Sequence, residues 1–398
     1  MDQGVTKMGQ FIGDDKKISV ALMSTFVILT LQYFILVFFS LGGTPLGDRI
    51  QLISKLLVGL VFIFAFPVVW KRSSKRLLGT YLTAGMVFSA HYLIFPDNRI
   101  YLNGLVFSIF FMCLPAFVYA WSIYDWNMLR DVMYKAGMVI YIMGTILAVL
   151  IISGRASIGA YSMSLSYYML LPAIMFSNHC FNQLRPGSIL RATVSVVVIL
   201  ALGSRGAMLC LGLFVLLKLK PQKRVGYKEI LSYMAIMIVG LFIIIFLDDL
   251  LEYLYSVLTQ FGIKSRSIAL FLRPEIHWSG RDRLYEIVIE EVLKRPLLGL
   301  GLAGDRLLIR GGYVHNFFIE IIAHFGVFTG LLMSISLVLS MIKRLMTDDI
   351  LRYEMTAIWM SLGFVPFQVS SSYLINIKFW IFLGLLFAAT SLRDGELL

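Results

Sequence analysis

Charge is scarce in this chain. Asp, Glu, Lys and Arg make up 15% of its 398 residues, against roughly 25% in soluble globular domains, and that shortfall excludes a soluble fold. Cysteine is scarcer still. Cys113, Cys180 and Cys210 all fall inside or at the edge of apolar runs, an odd number with no metal-ligand spacing, so no disulfide framework is expected. His91, His179 and His277 have no carboxylate or cysteine companions. His324 lies nine residues after His315, about 900° on and so half a turn out of phase at roughly 100° per residue, and the two cannot share a metal. No metal site and no cofactor are expected. The short alternating segments of a β-barrel are also missing.

What is abundant is apolar sequence: 59% of residues are hydrophobic, the mean hydropathy is +0.83, and runs of about 20 apolar residues recur along the chain. The fold class is an all-α polytopic membrane protein of about twelve transmembrane helices, forming a single integral membrane domain over residues 1–398. The expected spans are Ile18–Leu41, Ile50–Trp70, one ending near Phe95, Tyr101–Trp121, Val132–Ser153 and Leu165–Asn182. The short pair Ala192–Leu202 and Ala207–Leu217 comes next, then Ile230–Leu247, His315–Ile342, Tyr353–Ser370 and Tyr373–Leu392. The formal charge of +12 comes from Lys and Arg in short loops, where topology explains it, and nucleic acid is not expected as a partner. The first apolar run lacks a cleavage-site pattern and is expected to remain as an anchor.

With the N-terminus in the cytoplasm, the basic clusters Lys71–Arg76, Arg185–Arg191, Lys218–Arg224 and Lys343–Arg344 all fall inside, as the positive-inside rule requires. Both termini are then cytoplasmic. The loop of residues 248–314, GRASIG at Gly154 and GSRG at Gly203 lie on the opposite face. Within the large loop, Asp282–Arg295 alternates polar Arg283, Glu286, Glu290 and Lys294 with apolar Leu284, Val288 and Val292 at helical spacing, which reads as an amphipathic helix at the membrane surface. Leu251–Leu272 reads similarly but less regularly. The regular spacing makes the glutamates a solvated face rather than catalytic carboxylates.

That orientation gathers Arg155, Arg205, Arg281 and His315 on one side from four separate stretches. Any one such arginine is compatible with ordinary snorkelling. Three of them, each beside glycine, suit a diphosphate, because the guanidinium fork makes paired, charge-assisted bonds to phosphate oxygens. A neutral His315 can take a proton from a hydroxyl near neutral pH. Asn316, Tyr313 and Arg283 are candidate substrate contacts beside these groups.

The order of these motifs, GRASIG, GSRG, then a large outer loop with SGR, RPLLGLG and HN, resembles the O-antigen polymerase and ligase family of bacterial envelope enzymes. The likeness covers about Gly154–Gly330 in motifs and the whole chain in topology. It implies a glycosyltransferase of the C-class type and an undecaprenyl-pyrophosphate-linked oligosaccharide as donor. It also implies metal-independent inverting transfer at the periplasmic face of the inner membrane. On this resemblance Arg205 and Arg281 hold the donor's pyrophosphate, with Arg155 a further loop arginine, and His315 orients or deprotonates the acceptor hydroxyl. One departure is Tyr285, four residues after the SGR arginine, where many relatives carry tryptophan. A polymerase that passes glycan to a lipid-linked repeat unit is the favoured reading, with a chain-length regulator as a possible partner. A ligase acting on lipid A core and a transporter of lipid-linked glycans remain as alternatives.

Overall fold

The computed structural model describes residues 2–153, 155–156, 164–202, 205–219, 247–260, 262, 268–269, 272, 281–368 and 370–388. Among these, regular structure is helical throughout. The chain divides into two compact units, residues 1–22, 59–129 and 277–398 in the first and residues 23–58 and 130–276 in the second.

The first unit opens with the start of α1 (Asp2–Phe38) and continues with the later part of α2 (Pro45–Ile94). The loop expected between spans two and three is only a break at Ser73 (φ −141°, ψ 32°) inside α2. The reason is local. Arg72, two residues into the basic run, is buried and forms an ion pair with Asp15 at 2.9 Å, and Arg76 donates to the Trp121 carbonyl at 3.0 Å. Part of this basic cluster is therefore used inside the protein rather than spread over its surface.

A 3-10 turn at Pro96–Asn98 leads into α3 (Arg99–Ser108), a π-turn at Ile109–Cys113 and α4 (Leu114–Trp121). After residue 277 the unit contains α10 (Arg281–Leu293), the four-residue α11 (Asp305–Leu308), α12 (Phe317–Phe325), α13 (Val327–Leu345), α14 (Ile350–Gly363) and α15 (Ile377–Phe387). Helices α4 and α15 meet closely at Gly384, where a Cβ would stand 2.3 Å from the Phe117 carbonyl oxygen.

The span expected at His315–Ile342 is two helices, not one. Gly326 adopts φ +81° between α12 and α13, and its position leaves no room for a side chain beside the Leu297 and Pro296 carbonyls. The Val327 amide donates to Pro296 at 2.7 Å. The approaching loop, not a lapse in hydrophobicity, breaks the run. The last two expected spans are also shorter than anticipated, and the eleven residues of α15 extend only about 17 Å.

In the second unit, α5 (Trp126–Ile152, from Arg130 on), α6 (Ser164–Asn182), α7 (Pro186–Leu202) and α8 (Arg205–Lys218) pack together, joined by α9 (Leu247–Gln260). A Cβ on Gly144 of α5 would collide with the Met169 side chain of α6, so the two helices approach closely there. The broken pair expected around GSRG appears as α7 and α8, and the expected span Ile230–Leu247 lies almost wholly outside the described residues.

Five helical stretches among the described residues are long and apolar enough to cross a membrane: Gly13–Phe38, Pro45–Ile94, Pro96–Trp121, Trp126–Ile151 and Val327–Leu345. Shorter apolar helices include Pro186–Ala201, Gly206–Lys218 and Ile377–Phe387. The protein is a polytopic helical membrane protein.

Candidate active site

The site of the first unit is assembled on α10. Val288 and Val292 are buried against Leu300, Val314 and Ala323, the apolar stripe expected from the sequence. Glu286 and Glu290 face outward, and Glu291 pairs at 2.7 Å with Lys294. Arg281 opens the helix half-exposed, Arg283 is exposed, and Tyr285 packs against the apolar cluster.

The segment from Arg295 to Val314 follows an irregular path. Gly301 (φ +78°) has the Phe95 ring where a Cβ would sit, at 2.4 Å. Two residues from distant helices hold this path. Asn98 Nδ2 donates to the Leu300 and Leu302 carbonyls at 2.8 and 3.1 Å, and the Leu302 amide donates to His91 Nδ1 at 2.9 Å. Both lie some two hundred residues upstream, and sequence reading gave neither a role.

His315 sits one residue before the N-cap of α12, in a left-handed conformation (φ +59°). Asn316 is that cap, its Oδ1 accepting from the Phe318 and Ile319 amides at 3.0 and 3.2 Å, so its carboxamide oxygen is already used. The ring of Tyr313 packs on that of His315 with centroids 4.3 Å apart, and the Tyr313 hydroxyl donates to the Ser370 carbonyl at 3.1 Å. Burial holds the imidazole pKa below its ordinary value and the Arg281 charge pushes the same way, while a hydrogen bond to the Ser370 backbone and the charge of Asp305 oppose them. His315 Nδ1 is buried without a partner.

Beside it lies a cluster that sequence reading missed. Asp305, Glu320 and His324 are all buried. His324 Nε2 meets Asp305 Oδ1 at 3.1 Å, and its Nδ1 meets the Tyr373 hydroxyl at 2.8 Å. Glu320 accepts from the Ser372 hydroxyl and the Tyr373 amide. Burial works against the Asp305 carboxylate, yet His324, Arg306 and the Val314 amide together hold its pKa below the ordinary value. Glu320 and His324 are four residues apart, one turn on a helix face, which is the signal that could have found them. The expectation of no metal site compared His324 only with His315. The fold instead gives His324 two carboxylates, with one donor atom from each of the three residues within 4.8 Å of the others. Both imidazole nitrogens are already engaged, so a cation held by His324 would displace Asp305 or Tyr373.

Arg306 is also buried, at 9% exposure, and its Nε and Nη2 have no hydrogen-bond partner. These two nitrogens form one edge of the guanidinium, the edge that binds two oxygens of a phosphate or carboxylate side by side. Asp305, its neighbour, is occupied by His324 and by the Val314 amide at 3.3 Å. Two mostly apolar cavities of about 960 and 720 Å³ both reach Tyr373.

The structure thus brings Tyr313 and His315 together, within electrostatic reach of Arg281. Arg155 and Arg205 belong to the second unit. Arg155 is exposed just beyond α5, and Arg205 is the first residue of α8.

Residues 191–334 match the family model described as O-antigen ligase. Over that stretch, a little over a third of the chain, the sequence is similar to this family. The match spans Arg205, Arg281, Arg306, His315 and the Asp305–Glu320–His324 cluster, and leaves Arg155 outside. No curated protein and no solved structure matches the chain. The family is one of surface-polysaccharide biosynthesis, and a glycosyltransferase-like activity goes with it.

Proposed function

We propose that the protein is a polymerase of O-antigen or a related surface polysaccharide. It transfers glycan from an undecaprenyl-pyrophosphate donor to a hydroxyl of a lipid-linked repeat unit, at the outer face of the bacterial inner membrane. The observation that carries this reading is His315, a half-buried imidazole held below its ordinary pKa with Nδ1 unpartnered. Nδ1, which has no hydrogen-bond partner, is the nitrogen assigned to accept the acceptor's proton. Arg281 and the open edge of Arg306 neutralise charge as it develops on the departing diphosphate, and Arg306 is effective there because it is buried and little water competes. Arg205 and Arg155 are assigned to the same donor, Asn316, Tyr313 and Arg283 to substrate contacts. Base and leaving group on opposite sides of the anomeric carbon give inversion. The apolar cavities meeting at Tyr373 suit a polyprenyl tail.

The ligase reading, with lipid A core as acceptor, is kept because the matching model is described as O-antigen ligase. Purified protein given only the lipid-diphosphate-linked repeat unit decides between them. A ladder of lengthening lipid-linked glycans supports the polymerase. Product that forms only on adding core acceptor assigns a ligase, and no product in either case removes both readings.

A further inference from the structure

The second unit contains a cavity of about 530 Å³ that the transfer reaction does not use, enclosed by the start of α5, the end of α6 and the start of α7. Four cations line it, Arg130, Lys135, Arg185 and Arg191, against a single carboxylate, Asp131. Its floor includes Asn178 and Ser188, both buried, and the Ser188 hydroxyl has no hydrogen-bond partner. Arg191 is oriented by neutral groups, donating to the Gly187 carbonyl at 2.7 Å and lying over the Phe176 ring at 5.2 Å. Among the described residues, neither it, Lys135 nor Arg185 forms an ion pair. The charge of Lys135, Arg185 and Arg191 is therefore held in place without a carboxylate partner. Basic residues that serve topology alone need only flank the spans; here they converge on a concave site with an unsatisfied buried donor.

We propose that this cavity binds the phosphate headgroup of an anionic membrane lipid. The volume is of ligand-site size, and basic pockets between membrane helices are suited to such headgroups. The surroundings favour a lipid over a soluble phosphate. Val139 and Ile142, four and seven residues after Lys135 and so on the same face of α5, are exposed and apolar, as are Ile189 and Leu190 on α7. Acyl chains from a headgroup in the cavity have an apolar surface to lie on. The site is also distinct from the loops carrying Arg155 and Arg205. Lys135 and Ile152, the last residue of α5, are separated by about 26 Å of helix, close to the ~30 Å thickness of the hydrocarbon core. Arg155 follows that far end, and Arg205 opens α8 beyond the far end of α7.

The test is lipid retention by the full-length protein. Wild type, Lys135→Gln/Arg185→Gln and a charge-matched control, Lys71→Gln/Lys343→Gln, are extracted from nanodiscs of phosphatidylcholine with one-fifth phosphatidylglycerol, and bound lipid is counted by native mass spectrometry. Wild type and control are expected to retain phosphatidylglycerol selectively, and the cavity variant about fivefold less. Arg185→Gln alone, a change in an exposed turn, should move the same way and serves if the double variant does not fold. Equal retention by wild type and cavity variant, or an equal loss in the control, overturns the proposal. Glycerol 1-phosphate that binds without acyl chains and displaces no lipid assigns a soluble phosphate instead and overturns the lipid assignment.

Discussion

His324 Nε2 lies 3.1 Å from Asp305 Oδ1, with both side chains fully shielded from solvent. This contact ties α12 to the loop that carries Arg306 and leads to His315, so the geometry of the candidate site depends on it. Removing one partner of a buried hydrogen bond leaves the other unsatisfied, which typically costs about 1–3 kcal/mol. Asp305→Ala should therefore lower the thermal midpoint in detergent markedly, and Asp305→Asn much less, because it keeps the shape and one acceptor. Equal midpoints for Asp305→Ala and wild type would show that the pair does not hold the loop.

Arg306 should behave in the opposite way. A buried cation with one edge unbonded opposes folding until a ligand meets it, since burying an unpaired charge is costly. Arg306→Met is expected to unfold at or above the wild-type temperature while transfer falls about 10²-fold, the usual loss for one donor to a developing anion. A lower midpoint with normal transfer would make the arginine structural.

For His315, replacement by alanine should reduce transfer by about 10²–10⁴-fold, the range for a lost general base, with expression and midpoint unchanged. A base works deprotonated, so wild-type activity should rise with pH through the His315 pKa. Burial lowers that pKa from 6.5, which places the acid limb of kcat below pH 6.5. A limb above that value would exclude His315 as the titrating base.

Glu286 and Glu290 project from α10 into solvent. Glu286→Gln and Glu290→Gln should each leave transfer within about twofold of wild type and change stability by no more than about 0.5 kcal/mol, as is usual for surface positions. A large drop in either would return the carboxylates to the reaction.

Gly326→Ala tests the break between α12 and α13. A Cβ at φ +81° would stand 2.3 Å from the Leu297 carbonyl oxygen. The backbone strain alone is worth about 1–3 kcal/mol, and the collision adds to it. Gly212→Ala, with open space around it, is the neutral comparison in the same thermal assay.

Much of this was readable from local pattern. Scarce charge and long apolar runs specify membrane helices, and the apolar spacing of Val288 and Val292 specifies a helix with one buried face, because burial at 3.6-residue periodicity leaves its mark on consecutive sequence. His315 stood out as an imidazole at the end of a polar segment. The Glu320–His324 spacing was equally local, but Asp305, which completes the cluster, stands 19 residues from His324, beyond the reach of any helical repeat. The splitting of the expected span at Gly326 was hidden for a related reason: hydropathy measures how apolar a segment is, not whether a loop passes against it.

The amino-acid sequence by itself determined the class of protein, the apolar stripe of α10 and the presence of His315 at the end of the polar segment. Tertiary structure alone decided that Asn98 and His91 hold the Leu300–Leu302 backbone, that Arg72 is buried on Asp15, and that Arg306 keeps an open edge next to an aspartate already bonded to His324. Periodicity records which face of a helix is buried. It does not record which distant polar group satisfies a buried donor, because such pairing depends on where separate elements come to rest and leaves no repeat in the chain.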